Sequence, residues 1–348
     1  MASTEAAASR GTGSRLAGWL QRQWWQAAPS IVARLLWPLS ALYEALAERQ
    51  RRKTAPEATG LPLVVVGNLI VGGAGKTPTV IALVQALRAL GWTPGVISRG
   101  HGRQGEAVVQ VQRDSAARDV GDEPLLIHLR SAAPVVVGRD RIAAARALRQ
   151  AHPEVNLLLA DDGLQHWRLA RDAQVIVFDD RGAGNGFTLP AGPLRQRLPH
   201  AVPPRSLVLY NAAAPSTPLA GWCAQRRLAG AVELADWWAG RPCSLAALQA
   251  LKGKPLLAAA GIGAPQRFFD MLQAQGLSFT PCPVPDHHDY ATLPWPAGTA
   301  DVVLTEKDAI KLAPARCAGT HIWVVALDFA LPDAFVAALA RLLPASSL

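Results

Sequence analysis

The sequence predicts an α/β fold in which a parallel β-sheet carries helices on both faces. Short apolar runs rich in leucine and valine alternate with segments of helical periodicity, and the first run leads into a glycine-rich loop. Such alternation is typical of parallel strands joined by crossover helices. The predicted strands of this larger unit are residues 61–66, 95–98, 134–138, 156–160, 174–178 and 207–210.

A second, smaller α/β unit is expected in the last hundred or so residues, because a chain of 348 residues is long enough for two domains. Its predicted strands are 256–260, 301–305 and 322–326, and its predicted helices are 266–275 and 333–343. The predicted domains are an N-terminal segment (1–53), a core (58–210), a connecting and hinge segment (211–251) and a C-terminal α/β domain (252–348).

The N-terminal segment has the composition of an amphipathic helix that lies on a membrane surface. Residues 1–14 are small and polar and are predicted to be disordered; residues 19–37 hold four of the 11 tryptophans, interleaved with arginines. Tryptophan favours the headgroup level, and arginine reaches anionic lipid. The apolar run 31–47 is broken by charges and a proline, so a full span is not expected. The alternative is a helix packed on the protein's own core.

Charge and cysteine content narrow the classes of partner. The net charge of +9 favours an acidic partner, which could be a nucleic acid, an anionic lipid or a phosphorylated substrate. The four cysteines form no C-x-x-C pair, and no helix-turn-helix or zinc pattern is present. We therefore expect neither a zinc site nor a nucleic-acid partner. The sequence does not indicate an oligomeric state.

A phosphate-binding loop is predicted where the first strand passes into the first core helix. Glycines let backbone N–H groups turn toward phosphate oxygens, Lys76 reaches the β- and γ-phosphates, and the Thr77 hydroxyl can bind Mg²⁺. The strict P-loop pattern has glycine at position 70, where this chain has Ile70. We expect Gly72 and Gly73 to form the tight turn instead. The predicted ATP-binding residues are Gly72, Gly73, Ala74, Gly75, Lys76, Thr77, Pro78 and Thr79.

A P-loop enzyme needs a carboxylate at the end of another strand to hold Mg²⁺. Two acid pairs each follow an apolar run, Asp161–Asp162 and Asp179–Asp180. Spacing alone does not separate the two pairs. The polar residues Gln165 and His166 after the first pair could serve a substrate.

Two further clusters have both a structural and a functional interpretation. Asp122 lies in the sequence 121–124, which could simply be an acidic helix N-terminus. The sequence 286–289 could be a surface loop or an adventitious metal site, or its His287 could accept a hydroxyl proton with help from a carboxylate.

Nine stretches, in order, resemble the tetraacyldisaccharide 4′-kinase (lipid A 4′-kinase) family of bacterial envelope biosynthesis. They are 38–43, 66–68 with 72–78, 98–100, 121–124, 161–166, 189–195, 260–263, 285–288 and 304–309. The resemblance implies a P-loop NTPase-like core. It also implies an acylated disaccharide 1-phosphate substrate, phosphorylated by ATP at its 4′ hydroxyl to give lipid IVA at the cytoplasmic face of the inner membrane.

The resemblance also implies site roles. Mg²⁺ would be held by Thr77, Asp161 and Asp162, and the proton would be abstracted by Asp122 and His287, with Lys76 as the third catalytic residue. The implied substrate contacts are Arg99, Gln165, His166 and Arg195. A rival function is a membrane-associated P-loop ATPase switch, whose signature lysine is replaced here by Val71.

Overall fold

The computed structural model describes residues 18–286, 288–317 and 319–345. Residues 1–14, predicted to be disordered, and His287, predicted to abstract the proton, lie outside the described residues. Residues 18–24 are helical and precede the first long helix.

The larger sheet has eight strands, and its middle strands are parallel. In chain order the strands are β1 (Leu63–Gly67), β2 (Pro94–Ser98), β3 (Val109–Gln110), β4 (Val135–Val137), β5 (Leu157–Asp161), β6 (Ala173–Asp179), β7 (Ser206–Asn211) and β8 (Trp222–Cys223). Their order across the sheet is β3-β4-β2-β5-β1-β6-β7-β8, with β3 antiparallel to β4. All six predicted strands are present within two residues of their expected ends, and the predicted parallel sheet is confirmed.

Helices cover both faces of this sheet, which is why its central strands are buried along their whole length. The helices are α1 (Ile31–Lys53), α2 (Lys76–Ala89), α3 (Ala117–Val120), α4 (Asp122–Ser131) and α5 (Arg141–Ala151). The Ser30 hydroxyl accepts a hydrogen bond from the Ala33 amide at the start of α1, and the Asp140 carboxylate accepts two at the start of α5.

The second sheet has five strands in the order β11-β10-β12-β13-β9. They are β9 (Gln225–Glu233), β10 (Leu256–Ala260), β11 (Phe279–Pro283), β12 (Asp301–Thr305) and β13 (His321–Ala330). The helices of this part are α6 (Leu234–Trp238), α7 (Leu245–Gln249), α8 (Pro265–Ala274), α9 (Glu306–Ala309) and α10 (Asp333–Leu342). The three strands and two helices predicted here are found, each at or near its expected position.

The segment 211–251, predicted as a connection, also contributes structure to both sheets. Its β8 extends the larger sheet, and β9 is the edge strand of the smaller sheet, antiparallel to β13. The hydrophobic pattern of the sequence did not indicate β9, because an edge strand needs no continuous apolar run. This strand begins with the exposed Gln225 and two arginines. The division into domains at these residues stays a prediction.

Helix α1 has one face fixed to the core and one face exposed. On the inner face, Ser40 Oγ donates to the Thr188 carbonyl at 2.8 Å and Tyr43 OH donates to the Arg195 carbonyl at 2.8 Å. On the outer face four leucines, each more than half exposed, follow a 4-3-4 spacing that places them on one side of a helix. They are Leu35, Leu39, Leu42 and Leu46. Among the described residues, no helix is both long and apolar enough to cross a bilayer.

Candidate active site

The loop between β1 and α2 contains two glycines in the left-handed region, Gly72 at φ +84° and Gly75 at φ +89°. A Cβ on Gly75 would lie 1.9 Å from Nδ2 of Asn211, so no other residue fits there without displacing the Asn211 side chain. Helix α2 begins directly after this glycine, at Lys76. The positive end of the helix dipole is therefore at the loop.

Side chains outside the loop fix its shape. The successive carbonyls of residues 72–74 accept hydrogen bonds from Asn68 at 3.0 Å, Arg181 at 2.8 Å and Asn211 at 3.2 Å. These donors come from three different strand ends, those of β1, β6 and β7. The loop is thus braced by its surroundings before any ligand binds.

Lys76 is buried at the first turn of α2, where its Nζ lies 3.3 Å from Asn68 Oδ1 and 3.6 Å from Asp162 Oδ1. Asp162 has a second cationic partner, since Arg195 Nη1 donates to its Oδ1 at 3.0 Å. The ammonium group can therefore turn toward a phosphate without leaving Asp162 unpaired.

The carboxyl groups of Asp161 and Asp162 differ in environment. Asp161 is the last residue of β5 and is 2% exposed. Its Oδ2 accepts a hydrogen bond from Ser98 Oγ at 3.0 Å. Its other oxygen, Oδ1, is buried and has no hydrogen-bond partner among the described residues. Burial, together with Glu123 and Asp162, raises the pKa of Asp161 to about 7. Burial also acts to raise the pKa of Asp162, but Lys76 and Arg195 hold it below its ordinary value. A buried carboxylate oxygen without a donor fits a cation site with oxygen ligands.

The second acid pair is already neutralised by arginines. Asp179 is buried at the end of β6, where Arg181 Nε donates to its Oδ2 at 2.9 Å and Arg267 Nη1 lies 3.6 Å from that oxygen. Asp180 forms an ion pair with Arg267 as well. These contacts favour Asp161–Asp162 over Asp179–Asp180 as the metal site, which stays a prediction.

Without Mg²⁺, Asp161 is expected to make the protein less stable as the pH rises. Its pKa is about 7 in the folded chain against an ordinary 3.8, so its stabilising contribution is full below pH 3.8 and is lost as the pH rises through 7. Between pH 5 and pH 8 the loss is on the order of 3 kcal/mol. Asp161→Asn, which mimics the protonated acid, should abolish that part of the pH dependence in chemical denaturation. Equal pH dependence in the two proteins would contradict the assignment.

The N-terminus of α4 lies against lysines from the second unit. Lys311 Nζ lies 3.3 Å from Asp122 Oδ2, and Lys307 Nζ lies 3.3 Å from Glu123 Oε1. Lys307 also lies 3.6 Å from Oδ1 of Asp286, the residue before His287. The structural reading of Asp122 as an acidic helix start is therefore correct, and the same residue also faces the second unit.

A cavity between the phosphate loop and the second unit, here called the loop cavity, has one polar and one apolar wall. The polar wall contains Gly73, Gly75, Lys76 and Thr77 of the phosphate loop, and Pro78 follows them in the lining. Charged side chains also line the cavity, among them Glu123, Arg226, Arg267, Asp286, Glu306 and Lys307. The apolar wall comes from both units and consists mainly of Ile81, Leu126, Leu228, Phe268, Met271 and Leu327. Its shape suits a ligand with a charged tail and a flat apolar end.

A second cavity, here called the arginine cavity, is lined by both Asp161 and Asp162. It contains seven residues to which the sequence analysis gives a role: Arg99, Asp122, Asp161, Asp162, Gln165, His166 and Arg195. Burial, with Arg141 nearby, lowers the pKa of His166, which favours its neutral form. Glu123 lines both cavities, so the two adjoin there.

Sequence reasoning missed Arg139 and Arg141, which also line the arginine cavity. Arg141 is 3% exposed and donates from Nη1 to the Gly138 carbonyl, while its Nε is buried without a partner among the described residues. Arg139 and Arg141 lie two and four residues after the end of β4, and Arg141 begins α5. This position at the carboxyl edge of a predicted strand was the available signal. Lys307, which lines the loop cavity, carried the same signal, because it follows the predicted strand 301–305 by two residues. Arg267, which also lines this cavity, carried no comparable signal.

Residues 32–344 match the sequence model of a family described as tetraacyldisaccharide-1-P 4′-kinase. The chain belongs to this family. The resemblance expected from nine short stretches is thereby confirmed. The match extends from α1 through α10 and includes the residues around both cavities.

Named members of the family resemble the chain along most of its length. It is 55% identical over 334 residues to the tetraacyldisaccharide 4′-kinase of Methylibium petroleiphilum, covering 93% of each chain. It is 51% identical over 344 residues to that of Leptothrix cholodnii, covering 96% of this chain and 98% of the relative.

A solved structure from the family has the same fold. It is described as the "apo" form of LpxK from Aquifex aeolicus in complex with ATP, and it superposes with a TM-score of 0.72 over 90% of this chain and 100% of the other. Its sequence is 22% identical, so the likeness concerns the fold.

Proposed function

We propose that the protein is an ATP-dependent kinase that transfers the γ-phosphate to the 4′ hydroxyl of a tetraacyldisaccharide 1-phosphate, giving lipid IVA. The proposal rests mainly on one observation, which is that two cavities of different composition meet beside Lys76 and Asp162. One has a phosphate loop and an apolar wall, and the other is rich in arginine. The names of the family and of its relatives supply the identity of donor and acceptor.

ATP would occupy the loop cavity. Its triphosphate would lie on the loop from Gly72 to Thr79, where amides, the helix dipole and Lys76 neutralise it, and its base would lie against the apolar wall. The oxygens of Thr77, Asp161 and Asp162 would hold Mg²⁺, and the partnerless Asp161 Oδ1 supports this assignment. When bound, the ion neutralises charge that develops on the β- and γ-phosphates.

The acceptor headgroup would occupy the arginine cavity. Arg99, Gln165, His166 and Arg195 line it and can bind hydroxyl and phosphate oxygens. We assign acceptance of the 4′ proton to His287, oriented by Asp122. A bond forms between the 4′ oxygen and the γ-phosphorus while the bond to the β,γ-bridging oxygen breaks, so that ADP leaves and the proton passes to the imidazole.

The exposed leucine face of α1 supports binding to the cytoplasmic face of the inner membrane. Tyr43 of the same helix lines the arginine cavity, so the membrane-binding surface and the acceptor site adjoin. The segment 211–251 would act as a hinge on which the second unit closes over ATP and excludes water. ATP hydrolysis without acceptor should then be slow.

The test is transfer of labelled γ-phosphate from ATP to a monophosphorylated acylated disaccharide in mixed micelles or vesicles. We expect a labelled bisphosphorylated lipid and little free phosphate. The rival function, a membrane-associated ATPase switch, predicts the reverse: free phosphate, stimulated by vesicles, with no label in the lipid. That result would refute the kinase proposal.

A further inference from the structure

Helix α9 and the turn after it are docked along α4 by charges of opposite sign. Near the C-terminal end of α4, Arg130 forms an ion pair with Glu306, which also accepts from Trp237 Nε1 at 3.1 Å. At the N-terminal end, the lysines at 307 and 311 face the acids at 122 and 123. The second unit thus contacts both ends of one core helix through ion pairs.

Lys307 has a carboxylate partner in each of the two units. Its Nζ lies 3.3 Å from Glu123 Oε1 on α4 and 3.6 Å from Asp286 Oδ1 in the loop after β11. The side chain is 20% exposed and lines the loop cavity. Burial acts to lower its pKa, but Glu123 and Asp286 raise it above its ordinary value, so the side chain is cationic at neutral pH.

The backbone that carries Lys307 is itself fixed. Thr305 Oγ1 donates to Asp308 Oδ2 at 2.6 Å, and the Gly261 amide donates to the same carboxylate at 3.1 Å. Asp308 is fully buried, so this carboxylate joins the start of α9 to the end of β10. The ammonium group of Lys307 therefore extends from a rigid base.

We propose that Lys307 is a positioning residue for phosphoryl transfer, which sets the separation between the chain segments that carry Asp122 and His287. Glu123 follows Asp122 and Asp286 precedes His287 in the sequence, so Lys307 contacts the sequence neighbour of each member of the proposed proton-abstracting pair. This inference rests on the proposed function. It predicts that replacing Lys307 changes the separation of Asp122 and His287, although both residues remain in the chain.

Direct binding of the triphosphate is a different role, and the charges argue against it. Glu123 and Asp286 together bring two negative charges to one ammonium group. These two carboxylates therefore already neutralise the positive charge of Lys307, which is not available to bind the phosphates of ATP. Lys76, by contrast, shares the carboxylate of Asp162 with Arg195.

The test compares Lys307→Met, Lys307→Arg and Lys254→Met in the lipid phosphorylation assay. Lys307→Met should lower kcat by a factor of about 10–100, because small displacements of reacting groups are costly, with the Kd of ATP changed less than about threefold. Lys307→Arg, which keeps the cation, should restore most of the rate. Lys254, whose Nζ lies 3.9 Å from Asp301 outside both cavities, is the matched control and should tolerate methionine.

Three results would overturn the inference while the wild type is active. They are an unchanged kcat in Lys307→Met, a rise in the Kd of ATP that matches the loss of rate, and no rescue by arginine. If Lys307→Met does not fold, Glu123→Gln removes the core-side contact and should lower kcat similarly. A wild-type enzyme that labels no lipid would instead refute the proposed function.

Discussion

Lys76→Ala is expected to lower kcat by a factor of roughly 10²–10³, by analogy with the loss of one preorganised group that stabilises developing charge. The lysine is 8% exposed and begins the helix that follows the phosphate loop, so its charge acts on the phosphates in a site of low polarity. The measurement is single-turnover transfer of labelled phosphate to the lipid acceptor at saturating ATP.

The fold should survive this substitution, because Arg195 continues to neutralise Asp162 and the loop carbonyls keep their donors. Thermal unfolding of the variant checks that point. Lys252→Ala, which removes an exposed lysine outside both cavities, is the control and should be as active as the wild type. A near-normal rate for Lys76→Ala would remove this residue from the mechanism.

Replacing the leucine face of α1 with serine at positions 35, 39, 42 and 46 is expected to weaken binding to anionic vesicles about 10³-fold. The four side chains are 53–75% exposed, so insertion would transfer much of each from water to lipid. At ~1 kcal/mol for each partly inserted leucine, the total is about 4 kcal/mol. Vesicle sedimentation over a range of lipid concentrations measures the change.

The inner face of α1 is untouched in this variant, so Ser40 and Tyr43 keep their contacts with the core. A matched control replaces Leu90 and Leu245, two exposed leucines on other elements, with serine and should leave vesicle binding unchanged. If the α1 variant binds as tightly as wild type, the membrane proposal is wrong and the exposed face has another role.

The main sheet was predictable because its strands are buried on both faces. Such strands are continuous apolar runs, as in Leu157–Asp161, and these are easy to recognise in a sequence. The edge strand β9 was not predictable in this way, since two of its first three residues are exposed and two are arginines. Its pairing with β13 is a tertiary contact that local patterns do not encode.

The same distinction applies to the site. The phosphate loop and both acid pairs are local sequence features at strand ends, so their existence could be predicted. Which acid pair suits a metal ion depends on the ion-pair partners of each acid, and these partners are distant in sequence. Arg267 lies almost ninety residues after Asp179, and Arg195 lies 33 residues after Asp162. Lys307 approaches Glu123 across 184 residues.

Tyr43 and Leu42 are neighbours on α1, one lining the arginine cavity and the other exposed on the outer face. A helix with its side chains is about 10–12 Å across, so on the proposed function the Tyr43 side of the arginine cavity would lie about that far from the lipid surface. The acceptor would then bind close to the bilayer that holds its acyl chains. The rate of phosphorylation should accordingly depend on the mole fraction of the acceptor lipid in the membrane surface. Dilution of the acceptor with inert lipid should lower this rate even when the bulk concentration of acceptor is constant.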